Sequence, residues 1–267
     1  MKFAVIGSQT KKSLSPKLNN WIYKCIKEKH SYGFIQINNH QLDNVIGDLR
    51  KNKLHGINVT TPFKTDLLKY VDSIDELSKK IGAINCIRSI NGKLKGYNTD
   101  YYGFSKLVKL HNVDFADKSI LVLGAGGASK AISIYLRNHV LDFSIYNRTK
   151  SNAVDLIRNL EIQNMCNHIE SMDELNSFDI VINALPSEEK CYNLIISNLS
   201  KNVKHQTFID INYNSHGVYE WSQSNIKYID GLYMLIFQAI KSNEIWINNN
   251  LPLKVDYVKL HNFLMDE

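Results

Sequence analysis

Short apolar runs alternate with longer stretches of helical apolar spacing along most of the chain, which is the pattern of βα units around a parallel sheet. The runs predict strands at Lys2–Ile6, Tyr32–Ile37 and His55–Thr60, a helix opening after Ser15-Pro16, and another over about Gln41–Asn52. Ile84–Ile90 and Lys93–Asn98 flank Asn91-Gly92, a pair suited to the positive φ of a two-residue hairpin turn. That hairpin breaks the simple alternation, and a helix Tyr101–His111 follows it. A second series starts at Ser119–Leu123, passes through a glycine-rich turn and a helix to about Asn138, and continues with strands at Phe143–Tyr146, Ile180–Asn183, Thr207–Asp210 and Lys227–Ile229. Leu232–Ile247 and Val255–Leu264 have helical spacing. The expected fold class is α/β, with a boundary near Asn98–Gly103 marked by the change of pattern.

A chain of 267 residues has room for one large domain or two modest ones. Its 44% hydrophobic and 22% charged residues exclude a disordered, collagenous or coiled-coil protein. The apolar start Phe3–Ile6 ends at Gly7-Ser8, too short for a signal peptide or a membrane span, so a cytoplasmic protein is expected. Cys25, Cys86, Cys166 and Cys191 show no metal or redox spacing and read as structural thiols. The net charge of +6, from 32 basic and 26 acidic residues, could favour an anionic small ligand, a membrane surface or nucleic acid. The basic residues are dispersed, with pairs at Lys11-Lys12 and Lys79-Lys80, which reads as a solvated lysine-rich surface and disfavours nucleic acid. Monomer and homodimer both stay open.

Gly124-Ala125-Gly126-Gly127-Ala128 follows an apolar strand and opens a helix, so the backbone can approach a pyrophosphate at the helix N-terminus. About twenty residues on, NAD sites usually carry an acidic residue for the ribose 2′-hydroxyl. Asn147-Arg148-Thr149-Lys150 stands there instead, and a guanidinium suits a 2′-phosphate, so the expected cofactor is NADP. The alternative for this stretch is a helix capped by Thr149 beside an exposed arginine.

Three polar loops occupy the first half. Ser13 and Ser15 suit a carboxylate, although Ser15 reads equally well as a helix N-cap. Asn58, Thr60 and Lys64 bring amide, hydroxyl and ammonium groups into one turn after a strand. Asn85 and Asp100 bracket the hairpin and would meet at its base, where Asp100 could partner Lys64 in acid–base work or cap the following helix. No nucleophile elbow, HExxH or EF-hand pattern is present, so no metal is expected.

Read together, SLSP at Ser13–Pro16, NVTTPFK at Asn58–Lys64, GAIN at Gly82–Asn85, GYNTD at Gly96–Asp100, GAGGA at Gly124–Ala128, NRT at Asn147–Thr149 and DGLYMLIFQA at Asp230–Ala239 resemble the shikimate dehydrogenase family over nearly the whole chain. The resemblance implies two domains: a discontinuous α/β substrate-binding and catalytic domain, 1–99 completed by 231–267, and a Rossmann-type NADP-binding domain, 100–230. It implies a cytoplasmic oxidoreductase that reversibly reduces 3-dehydroshikimate to shikimate with NADPH, in chorismate and aromatic amino acid biosynthesis. Ser13 and Ser15 would hold the substrate carboxylate, Asn58, Thr60, Asn85 and Gln238 its ring and hydroxyls, and Lys64 and Asp100 would be the catalytic pair. Gln238 would come from a C-terminal helix that returns to the substrate domain, Tyr213 would lie near the substrate and Met234 near the nicotinamide. The chain departs from the family at 8–12, 184–189 and 214–218. Two alternatives accompany this reading: a dehydrogenase for quinate or a related hydroxy acid, and a non-catalytic sensor of a pathway ligand.

Overall fold

The structure, a computed structural model, describes residues 1–8, 10–140, 142–169, 171–185, 195, 206–213, 226–247 and 255–265. The chain forms two compact units, Met1–Phe104 with Leu235–Glu267, and Ser105–Met234. These divisions fall a few residues beyond those expected at 99/100 and 230/231.

The first unit is built on β1 (Lys2–Gly7), β2 (Ser31–Gln36), β3 (Gly56–Val59), β4 (Ser73–Ile74), β5 (Cys86–Ile90) and β6 (Lys93–Tyr97), in the sheet order β2-β1-β3-β5-β6-β4. β1 pairs in parallel with both β2 and β3. The hairpin then reverses direction, so β5 is antiparallel to β3 and β6 to β5. Asn91 (φ 52°) and Gly92 (φ 77°) supply the two positive φ values of its turn. Helices α1 (Ser15–Cys25), α2 (Leu42–Arg50), α3 (Glu76–Ile81) and α4 (Asp100–Leu110) belong to this first stretch of chain.

β1 is buried at five of its six positions, as expected of a strand covered on both faces. Ile6, Leu49, Ile57, Phe63, Ile84 and Ile87 form one side of the core. On the other side Phe3 stacks on Trp246 at 4.6 Å between ring centroids, and Trp246 donates its indole N–H to Ile87 O at 3.0 Å. Trp246 lies on helix α7 (Leu232–Ile247), which belongs to the first unit from Leu235 on; α8 (Tyr257–Met265) follows.

The second unit carries β7 (Ile120–Leu123), β8 (Phe143–Tyr146), β9 (Cys166–His168), β10 (Ile180–Asn183), β11 (Gln206–Asp210) and β12 (Ile226–Ile229), with helices α5 (Gly127–Arg137) and α6 (Lys150–Asn159). The strand order is β12-β11-β10-β7-β8-β9, and every pairing is parallel. Counted from β7, this is the doubly wound arrangement of dinucleotide-binding sheets, with its switch point between β7 and β10. β4, α3 and β9 are too short to leave a periodic signal and were not expected from the sequence. Among the described residues no helix is long and apolar enough to cross a membrane.

Candidate active site

Strand register brings the polar loops of the first unit together. Ile6 lies opposite Val59 in parallel strands, so the turns after β1 and β3 leave the sheet at one edge. Asn58 and Tyr97 both pair with Cys86, which puts the start of β5 and the end of β6 at that same edge. Ser13 and Ser15, Asn58 to Lys64, Asn85, and Asn98 to Asp100 therefore flank one rim of the sheet, where open α/β sheets bind ligands.

At this rim Lys64 Nζ meets Asp100 Oδ2 at 2.5 Å, with the lysine side chain 15% and the carboxylate 8% exposed. Asn85 Nδ2 donates to the other carboxylate oxygen at 2.7 Å. The amide of Asn85 cannot turn over, because its Oδ1 accepts the Thr99 backbone N–H at 2.6 Å. Thr99 Oγ1 in turn lies 3.3 Å from Gln238 Oε1 and 3.2 Å from Ser242 Oγ, both on α7. Asn58 donates to Asn85 O at 3.2 Å and to Ser242 Oγ at 2.9 Å, while its Oδ1 accepts from Tyr32 Oη at 2.8 Å. Both amide hydrogens of Asn58 are thus used inside the protein, and only its oxygen has capacity left for a ligand. Thr60 is half-buried at the end of β3.

The capping alternatives for Ser15 and Asp100 are overturned. Ser15 is the first residue of α1, after Leu14 at the cap position, and Ser13 Oγ accepts the Ser15 N–H at 3.2 Å. α4 is capped by Asn98, whose Oδ1 accepts from the backbone of Asp100 at 3.0 Å and Tyr101 at 3.3 Å. The Asp100 carboxylate is left for Lys64 and Asn85. Sequence reasoning missed Asn98 and Thr99 as individual contributors although it named their segment. It also missed Ser242 and Tyr32, for neither of which a local signal exists.

In the second unit, Leu123 pairs with Asn183 and Tyr146, and Asn183 with Asp210, so the loops after β7, β8, β10 and β11 share one edge. Gly124 has φ +106°, and a Cβ there would lie 2.9 Å from Ala184 O at the switch point; only glycine meets both demands. Gly126, which precedes the first helical residue Gly127, faces open space where a side chain would stand. Ala128 follows, and the fully buried Ser129 hydroxyl behind it has no hydrogen-bond partner. Ala125 is half-buried beside the turn. Arg148, Thr149 and Lys150 are exposed at the end of β8, and Asn147 donates to Thr149 O at 2.9 Å. Thr149 has the extended backbone of a cap but makes no side-chain capping bond, so that alternative survives in the backbone alone. An open glycine turn, an N-terminal helix end and two exposed cations fit a dinucleotide carrying an extra phosphate.

Asp210, fully buried at the end of β11, accepts from Asn183, from the Asn212 backbone and from the Asn212 side chain, all at one carboxylate oxygen. Burial nevertheless pushes its carboxyl up to about 6. Tyr213 is half-buried three residues later, and Met234 is buried in the first turn of α7; both belong to the second unit. Cys25, Cys86 and Cys166 are free thiols, and burial pushes Cys86 up to about 12, where it stays protonated. Pro186, Cys191 and the residues at 214–218 lie outside the described residues.

A doubly wound parallel unit with a glycine-rich turn opening a helix, inserted into a unit with a lysine–carboxylate pair at its sheet edge, defines the class of two-domain dinucleotide-dependent dehydrogenases. The chain belongs to the shikimate dehydrogenase family. The model for the shikimate dehydrogenase substrate binding domain matches residues 5–87, and that for shikimate / quinate 5-dehydrogenase matches 106–234. The NADP(+) shikimate dehydrogenase of Clostridium beijerinckii is 34% identical over 265 residues, covering 95% of this chain and 94% of its own. That of Methanosphaera stadtmanae is 35% identical, covering 91% of this chain and 89% of its own. The crystal structure of shikimate dehydrogenase from Aquifex aeolicus superposes with a TM-score of 0.84 at 29% identity, covering 100% of this chain and 98% of that one.

Proposed function

We propose that the protein is an NADP-dependent shikimate dehydrogenase, interconverting 3-dehydroshikimate and shikimate. The observation that carries this reading is the pairing of Lys64 with Asp100 at 2.5 Å, at a sheet edge that also presents Asn85, Thr60 and the Ser13/Ser15 turn. Family membership and NADP(+)-dependent relatives support the substrate and the cofactor. Arg148 and Lys150 would receive the 2′-phosphate, Asn147 and Thr149 the neighbouring ribose, Gly124 to Ala128 the pyrophosphate, and Met234 would border the nicotinamide.

The cofactor, when bound, accepts a hydride from the carbinol carbon and returns it in the reverse direction. Ser13 and Ser15 would donate hydroxyl hydrogen bonds to the substrate carboxylate, fixing one end of the ring. Thr60, Asn85, Gln238 and the free lone pair of Asn58 would hold the ring hydroxyls, and Tyr213 would be a further substrate contact. As the alcohol is oxidised, its O–H proton passes to the Lys64/Asp100 pair; in reduction the pair returns it to the carbonyl oxygen. Asn85 holds the carboxylate by one oxygen, so the other is kept for the lysine.

General acid–base assistance is worth about 10²- to 10⁴-fold. Lys64→Ala is therefore expected to lower kcat by at least about 10²-fold while changing the KM for shikimate far less. The assay follows NADP⁺ reduction with shikimate, with NAD⁺ and quinate in parallel. Near-normal turnover of the variant would remove Lys64 from the chemistry, and turnover confined to quinate would replace the substrate. Ligand binding without any turnover would make the protein a sensor.

A further inference from the structure

We propose that Ser242 and Asn243, adjacent on α7, are positioning residues that brace the two sides of the active site: Ser242 the side with Asn85, Asp100 and Lys64, Asn243 the helix that carries Ser15. This inference rests on the function proposed above.

Ser242 is fully buried, and its hydroxyl meets three polar groups. It donates to Gln238 O at 2.9 Å, accepts from Asn58 Nδ2 at 2.9 Å, and lies 3.2 Å from Thr99 Oγ1. Through Thr99 the contact reaches Asn85, whose orientation is set by the Thr99 N–H, and through Asn85 it reaches Asp100. Buried hydrogen-bonded chains of this kind polarise one another and hold a single geometry. Deleting the Ser242 hydroxyl leaves one Asn58 N–H buried without an acceptor and removes one of the three polar neighbours of Thr99 Oγ1, so the carboxylate that receives Lys64 loses part of its support two bonds away.

Asn243 reaches the opposite side. Its Nδ2 donates to Asn19 Oδ1 at 2.5 Å and to Ala239 O at 2.9 Å, and Asn19 Nδ2 donates to Ser15 O at 2.8 Å. Asn19 and Asn243 are both fully buried. The remaining amide oxygen of Asn243 has no hydrogen-bond partner, which costs stability that an apolar residue of the same size would not. The pair is thus a poor way to fill a core and a good way to fix the first turn of α1, where the Ser13/Ser15 anion site begins.

Steady-state kinetics of the full chain, with shikimate and NADP⁺ each varied and thermal midpoints measured alongside, separate the two arms. Ser242→Ala is expected to lower kcat about tenfold with the KM for shikimate within about threefold, and Ser242→Thr to recover kcat. Asn243→Leu is expected to do the converse, raising KM about tenfold with kcat within about threefold, and Asn19→Leu probes the same tether from its other end should Asn243→Leu not fold. Wild-type kinetics in Ser242→Ala, or changes in kcat and KM that are the same in both arms and follow the loss of thermal midpoint, would overturn the proposal. An inactive wild type would instead sink the functional reading, and this inference with it.

Discussion

Asp210 shows how a single residue can carry a pH dependence for the second unit. Burial raises its carboxyl from 3.8 to about 6, so between those values the folded state binds more protons than the unfolded chain. The stabilisation is fully present below the unfolded value and is lost as pH rises through about 6, an effect of up to about 3 kcal/mol. Asp210→Asn keeps an oxygen for the three donors at Oδ1 and has no charge to bury. Its thermal midpoint is expected to match wild type near pH 4 and to exceed it at pH 7; parallel pH curves for the two proteins would exclude Asp210 as the source. At this same scale, Lys64, Asn85 and Asp100 could be singled out from sequence because each combines unusual polarity with a strand end. Ser242 could not, since a serine in an apolar helix is ordinary until Asn58 and Thr99 are seen to converge on it.

The elements follow from their patterns most faithfully where one physical cause dominates. β8, β10 and α7 begin and end where apolar runs do, and the β5–β6 turn is fixed by Asn91-Gly92. α4 begins one residue earlier than its apolar spacing suggests because Asn98, and not Asp100, supplies the cap. β3 shows a constraint that periodicity cannot express. A Cβ on Gly56 would stand 2.3 Å from Trp246 Nε1 and 2.9 Å from Ile87 O, so β3 needs glycine where α7 crosses the sheet. Gly56→Ala is expected to cost about 1–3 kcal/mol by overpacking and to loosen the Trp246–Ile87 bond. Denaturant unfolding with tryptophan fluorescence measures both, and an unchanged midpoint would mean that α7 can move aside without loss.

For the whole molecule, the second unit is an insertion between Phe104 and Leu235, and the ligand sites proposed above divide accordingly. NADP⁺ at about 100 times its Kd adds about 2.7 kcal/mol to the unit that binds it. Hydrogen exchange is expected to show protection by NADP⁺ within 105–234 and by shikimate within 1–104 and 235–267. Protection of the first unit by NADP⁺ in the absence of shikimate would reject this assignment. By itself the sequence determined the α/β class, most strands and helices, and the glycine-rich turn, because these depend on local periodicity, turn chemistry and the φ that glycine allows. It also named Asn58, Lys64, Asn85 and Asp100, because polarity at a strand end is legible without knowing the neighbours. Only the tertiary structure decided which of them meet. Lys64 and Asp100, 36 positions apart, come within hydrogen-bonding distance through the register of β3, β5 and β6. Ser242 joins Asn58 across 184 positions because α7 packs over the first sheet, and no local spacing encodes a contact made by the return of the chain.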